Sequence, residues 1–172
     1  MNKIAPLLAA LSLSLASAAS AADKPTDPQI AHIAYTAGLI DIEAGKQAVD
    51  KSQNKDVRAF ALRMIGDHTA VNDQALALVK KLHVTPADNP TSQSLTKAAD
   101  ATRETLAGLD GAAFDKAYVD NEVAYHQTVN DALSKTLIPS AENAELKALL
   151  EKALTLFQAH QHHAEELAKE LQ

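Results

Sequence analysis

The chain has 172 residues, a formal net charge of −6 and no cysteine, and 47% of its residues are apolar while only 3% are aromatic. An acidic chain without a basic run is a poor partner for nucleic acid, and one without cysteine has no disulfide and no lipid-modified cysteine anchor. A core of Ala, Leu, Val and Ile with almost no period-two alternation speaks against strands and favours closely packed helices.

The first residues read as an export signal. Lys3 gives a positive start, Ile4 to Leu15 is an apolar run, and the small residues Ala16 to Ala22 offer cleavage after Ala21 or Ala22. That run is too short for a transmembrane helix, and no later one is long enough. The expectation is therefore a signal peptide over residues 1–22 and a single helical-bundle domain over 23–172, exported to a periplasm, one unit more negative once Lys3 is removed.

Asp27-Pro28 reads as an N-cap followed by a first-turn proline, opening a helix to about Ser52. Its inward stripe is Ile30, Ala34, Ala37, Asp41, Ala44 and Ala48. Gly38 and Gly45 flank that stripe, a pattern that suits either a close neighbouring helix or a dimer seam. The second helix starts near Asn54-Lys55-Asp56 and runs to about Leu82, with Phe60, Met64, His68, Val71, Ala75 and Leu78 at helical spacing. Thr85 to Pro90 breaks it. Thr91 to Ala107 is a more polar helix ended by Gly108. Asp110-Gly111 opens the next, from Ala112 to about Leu137, and Pro139-Ser140 ends that helix and starts the last, which runs to about Leu171.

A tight loop suffices for antiparallel neighbours, but the connection from His83 to Gly111 is long and holds its own helix of roughly 25 Å at ~1.5 Å per residue. This predicts an all-α, ferritin-like four-helix bundle with an additional crossover helix between the second and third long helices.

Four polar residues interrupt the four apolar stripes. Asp41 shares a face with Ala37 and Ala44, His68 with Met64 and Val71, and His160 with Ala153, Leu156 and Phe157. His126 belongs to a stripe with Val119, Val129 and Leu133, one turn after Glu122. A second stripe, Phe114, Tyr118 and Tyr125, runs beside it, so a wide buried face would take in both. A buried carboxylate without a donor or cation costs several kcal/mol or more, so these groups need partners. A lone inward histidine is more often a hydrogen-bonded core residue than a ligand. One such residue on each of four long helices balances a metal site against a hydrogen-bond network that only fixes helix register.

Di-iron chemistry of the ferritin kind needs Glu-x-x-His on two helices, and Ile65, Val123 and Phe157 stand three residues before the histidines instead. A redox enzyme is accordingly the least supported reading. The cluster His160-Gln161-His162-His163 with Glu165-Glu166 is a second candidate, dense enough in histidine to capture zinc, copper or nickel adventitiously, but it reads first as a solvated polar face. No Gly-rich phosphate loop, serine elbow or cysteine nucleophile occurs.

The segments Leu39-Ile40-Asp41-Ile42-Glu43-Ala44-Gly45, Val57 to His68 (with Phe60-Ala61, Met64 and Asp67-His68) and Leu109 to Val119 (with Gly111-Ala112-Ala113-Phe114-Asp115 and Tyr118) resemble the exported ferritin-like proteins of domain-of-unknown-function family 4142, some of which carry an outer-membrane label. The resemblance covers roughly residues 27–168. It implies an exported helical bundle and no established activity. Relatives usually have Glu where this chain has Asp41, and often a Glu where it has Gln127. The leading expectation is a non-enzymatic metal-handling or stress-related protein that holds zinc, copper or iron through Asp41, His68, His126, His160 and Glu122, with Glu122 or Asp67 in support.

Overall fold

Caps and turn residues cut the described part of the chain, residues 24–171 of a computed structural model, into α1 (Asp27–Lys51), α2 (Lys55–Lys81), α3 (Pro90–Ala107), α4 (Gly111–Ala132), a π-helical turn (Leu133–Leu137), the single turn α5 (Ile138–Ser140) and α6 (Ala144–Glu170). The signal segment expected over residues 1–22 lies outside the described residues. Among the described residues there is no strand, and no helix is long and apolar enough to cross a membrane.

The path of α3 fixes the topology. Near its start, Asn89 donates from Nδ2 to the Gln29 carbonyl at the beginning of α1. Near its end, the Arg103 and Ala107 carbonyls accept from Gln47 Nε2 (3.0 Å) and Lys51 Nζ (2.9 Å) at the finish of α1. The crossover helix thus runs alongside α1 in the same direction and returns the chain to the end where α2 began. Helix α4 must then run parallel to α2, which a short loop could not achieve. Helices α1 and α2 pack together, α4 packs on α6, and α2–α6 and α1–α4 contacts close the four-helix bundle. The molecule is an all-α, ferritin-like four-helix bundle with a crossover helix between its second and third long helices.

Both glycines of α1 serve the α1–α2 contact. A Cβ on Gly45 would meet Ile65 Cγ1 at 2.9 Å and the Ala61 carbonyl at 3.0 Å, and one on Gly38 would overlap the Asn72 side chain. Their place is therefore inside the molecule, not at a seam between copies.

Two local expectations are corrected. Thr26, not Asp27, is the N-cap of α1, and the Asp27 carboxylate instead accepts the Glu142 and Asn143 N–H groups at 2.9 and 2.8 Å, tying the start of α1 to the turn before α6. Pro139-Ser140 does not start the last helix. The helical path of α4 widens through the π turn and continues past Pro139, which lacks an N–H, to Ser140. Residues 141–143 then turn the chain, and Asn143 caps α6 by accepting from Glu145 and Leu146.

The interior has two apolar regions with the polar residues between them. The lower one is built around Phe60, Phe114, Tyr118, Met64 and Leu167. The upper one, toward the start of α1, contains Ile30, Ile33, Leu133, Leu146, Leu150 and Phe157.

Candidate metal centre

Each helix delivers its polar side chain by the same rule: residues three, four and seven apart share a face. On α1, Asp41 falls between buried Ala37 and Ala44; on α2, His68 follows buried Ala61 and Met64; on α6, His160 lies between Phe157 and Ala164. On α4 the buried face spans both stripes, from Phe114 and Tyr118 through Val119 and Glu122 to His126 and Asn130. Asp41, His68, Glu122, His126 and His160 are all no more than 2% exposed.

The five side chains meet at one level of the bundle. One ligand atom from each of His68, His126 and His160 lies within 4.8 Å of the others, and the same holds for Asp41, Glu122 and His126. Asp41 Oδ2 stands 3.4 Å from His68 Nε2 and 3.5 Å from His126 Nε2. These separations are long for a charge-assisted hydrogen bond of about 2.7–2.9 Å. They match the edge of a ligand tetrahedron, which is roughly 3.3–3.6 Å for metal bonds of ~2.0–2.2 Å.

Hydrogen bonds outside the cluster fix which ring nitrogens face it. His126 Nδ1 lies 3.0 Å from the Glu122 carbonyl, which can only accept, so Nδ1 carries the proton and Nε2 keeps its lone pair. His160 Nε2 donates to Asp67 Oδ2 at 2.9 Å, leaving Nδ1 as the lone-pair nitrogen. A carboxylate or carbonyl behind an imidazole is how metal-bound histidines are usually oriented. His68 is held by stacking on Phe157, with ring centroids 4.4 Å apart and planes 14° from parallel. Asp67 is 40% exposed and connects the buried group to the surface between α2 and α6.

What remains is an unusual concentration of unpaired donor atoms. Both oxygens of Asp41, both of Glu122, both ring nitrogens of His68, Nε2 of His126 and Nδ1 of His160 are buried without a hydrogen-bond partner. Isolated groups of this kind are few in folded proteins because each costs about 1–3 kcal/mol, more if charged. Ligand atoms of His68, His126 and His160 form one close group and those of Asp41, Glu122 and His126 a second, with His126 shared, so imidazoles and carboxylates stand side by side. The Tyr118 hydroxyl, one turn before Glu122, is also unpartnered.

Burial sets the protonation of the group. Desolvation pushes the Asp41 carboxyl up to about 8. Desolvation, followed by the neighbouring charge of Asp41, raises Glu122 well above the ordinary glutamate value. Desolvation lowers His68 to about 2, helped by His126 and His160, and lowers His126 to about 4. His160 is lowered by burial against the opposing influence of Asp67. Burial thus favours the neutral form of both carboxyls and of all three imidazoles. A divalent cation would balance two carboxylates and leave the site neutral, the cheapest charge state in a low-dielectric interior.

The placement of each expected residue can be stated plainly. Asp41, His68, His126, His160 and Glu122 come together, and Asp67 stands behind His160. His162 and His163 are exposed, and His163 packs edge-on against Phe60 at 5.1 Å. Sequence periodicity missed Asn72 and Asn130, which are buried four residues after His68 and His126. That spacing was the available signal. It also missed Phe157 as the ring that fixes His68.

The structure is similar to that of a Streptomyces coelicolor protein of family DUF305, described as a secreted protein, with a TM-score of 0.71 at 13% identity, covering 83% of this chain and 91% of that one. At that identity the likeness shows the fold alone. No curated protein matches the chain. The family model described as Domain of unknown function (DUF4142) matches residues 12–167, and the chain belongs to that family.

Proposed function

We propose that this protein is an exported metal-handling bundle whose core holds one divalent transition ion, zinc, copper or iron, through Asp41, His68, His126 and His160, with Glu122 as a fifth donor. In this reading residues 1–22 are an export signal and the remainder is one domain working in the periplasm. The observation that carries the reading is the cluster of eight buried polar atoms with no hydrogen-bond partner, two of whose separations fit a tetrahedral edge. Three neutral imidazoles suit borderline first-row ions, and the carboxylates supply the compensating charge.

The role is binding, and a part in metal stress follows from it; turnover does not. Four or five protein ligands close the coordination sphere, as in structural sites, whereas catalytic sites keep a position open. A ferritin-like shape brings no oxidase activity with it.

The test is metal content by mass spectrometry on untagged protein, followed by titration with zinc, copper and iron. One ion per chain is expected, with binding lost in His68→Ala and His160→Ala. Protein that carries and takes up no stoichiometric metal would sink the reading. A stability loss in His68→Ala that is the same with metal and with chelator would point to a polar core that only fixes helix register.

A further inference from the structure

The upper half of the bundle holds a cavity of about 780 Å³ that opens to the surface. Protein interiors are close-packed, with few voids larger than a water molecule. A space of this size lies instead in the range of small-molecule sites, which are about 300–1,000 Å³, mainly apolar, and carry a few placed polar groups. The walls here are apolar side chains from α1, α2, α3, α4, the π turn and α6, among them Ile33, Val71, Leu95, Leu133, Leu150 and Phe157. Val71 and its neighbours on α2, whose spacing marks them as core, are only half-buried because they border this space.

Three further observations give the cavity a direction and a sign. Phe157 both lines it and stacks on His68, so its inner end lies against the candidate metal centre. The π turn Leu133–Leu137 forms part of its wall, and such turns are frequent at functional sites. Among the described residues no acidic side chain lines it, in a chain whose net charge is −6, and the charged ones that do are Lys24 and Lys135. Lys135 also meets Asp131 at 2.9 Å, but both partners are more than half exposed, and such surface pairs are weak enough to exchange.

We infer that this cavity binds a single-chain anionic amphiphile, a carboxylate-headed alkyl chain, with its head at Lys24 and Lys135 and its tail reaching Phe157. The inference does not depend on a bound metal. Free fatty acids and the acyl chains of membrane lipids share the recognised chemistry, and the depth of the cavity, whose inner end at Phe157 reaches the bundle core, favours the free molecule.

The experiment is calorimetric titration of detergent-free protein with octanoate, decanoate, dodecanoate and tetradecanoate, in chelator and again with zinc. One molecule should bind per chain, tightening roughly fourfold for each added methylene until the cavity is filled and then levelling off. Dodecyltrimethylammonium should bind clearly more weakly than dodecanoate. The double substitution Ala34→Leu with Ala75→Leu, which fills the space, should abolish the chain-length dependence while circular dichroism stays helical. Phe157→Ala should move the levelling-off point to a longer chain, and this decides the matter if the double variant does not fold.

Affinity independent of chain length, equal binding of the ammonium compound, or a levelling-off point unmoved by Phe157→Ala would overturn the inference. So would co-sedimentation with phosphatidylglycerol vesicles without dodecanoate binding, which would assign the face to a membrane, or a dimer that dodecanoate does not dissociate. Because binding is expected in chelator as well as with zinc, failure here leaves the metal reading standing, and failure of metal uptake leaves this one standing.

Discussion

The lower and upper halves of the bundle are made from the same four helices and the same aliphatic vocabulary, yet one is filled and the other hollow. Below the polar layer, Phe60, Phe114 and Tyr118 are fully buried and interlock, with ring centroids 6.1 and 6.3 Å apart. Above it, aliphatic side chains from these helices, the π turn and α3 face a large space. The lower half is held by packing as well as by the Gln47 and Lys51 hydrogen bonds to α3 at its end. The upper half is fastened at its rim by hydrogen bonds: Asp27 to the turn before α6, the Ala87 N–H to the Pro28 carbonyl, and Asn89 to the Gln29 and Ala87 carbonyls. Stability and ligand space are thus separated along the bundle axis, with the polar residues as the boundary.

The strongest way to break this comparison is to truncate one large side chain in each half. Phe60→Ala should cost about 3–5 kcal/mol, because surrounding aromatic rings cannot collapse into the gap. Leu150→Ala borders existing space, already lacks contacts on one side, and should fall at the low end of the buried-leucine range, about 2 kcal/mol. Urea unfolding measures both. Equal losses would mean that the upper half is as well packed in solution as the lower.

The boundary layer predicts a pH response whose sign depends on metal. Asp41 is raised from 3.8 to about 8 in the folded chain, so between these values the folded state holds a proton that the unfolded state has lost. Its contribution is full at low pH and is lost as pH rises toward 8. His68 and His126 act oppositely, because their lowered values make the unfolded state the better proton acceptor below 6.5. In the window from 6.5 to 8 the carboxyl contribution is left alone. Thermal unfolding in chelator should then move to lower temperature as pH rises, while with zinc it should rise or stay level, since protons compete with the ion. Binding at pH 7 should release protons, because the ion displaces the one that burial keeps on Asp41. Identical slopes in both arms would remove the centre from the account of the boundary.

Much of this layout was legible in the chain. The apolar period of α1, α2 and α6 places Asp41, His68 and His160 inward, because a helix gives three- and four-residue spacings no other geometry. His126 and Glu122 needed the true width of the α4 face, which two adjacent stripes leave open until neighbours are known. The hollow was not legible: Val71, Ala75 and Leu78 have the right phase for a core, but phase gives a direction and not the distance to the opposite wall. Asp27 misled for a related reason. Asp-Pro has the local chemistry of an N-cap, and only the fold brings the Glu142 and Asn143 N–H groups within its reach.

The rim fastening of the upper half can be tested directly. Asp27→Ala removes the carboxylate that accepts two N–H groups from the turn before α6, both near the surface and able to turn to water. The loss should therefore be modest, about 1–2 kcal/mol, against about 1.5–3 kcal/mol for hydrogen bonds to a charge in general. Hydrogen exchange should localise it, with faster exchange at the start of α6 and no change around Phe60.

A pair of glycine substitutions, one of them the smallest effect expected, separates crowding from chain entropy along the α1–α2 contact. Gly66 lies inside α2 with nothing within 4 Å of where a Cβ would stand, whereas Gly45 faces Ile65 and Ala61 across the close α1–α2 contact. Gly66→Ala should stabilise by about 0.5–1 kcal/mol, because alanine loses less backbone freedom on folding than glycine. Gly45→Ala should instead destabilise by about 1–3 kcal/mol, since Ile65 must move and the Ala61 backbone resists. The signs carry the argument more than the sizes. A stabilising Gly45→Ala would mean that α1 and α2 separate easily at this level, and close packing would then no longer explain the firmness of the lower half.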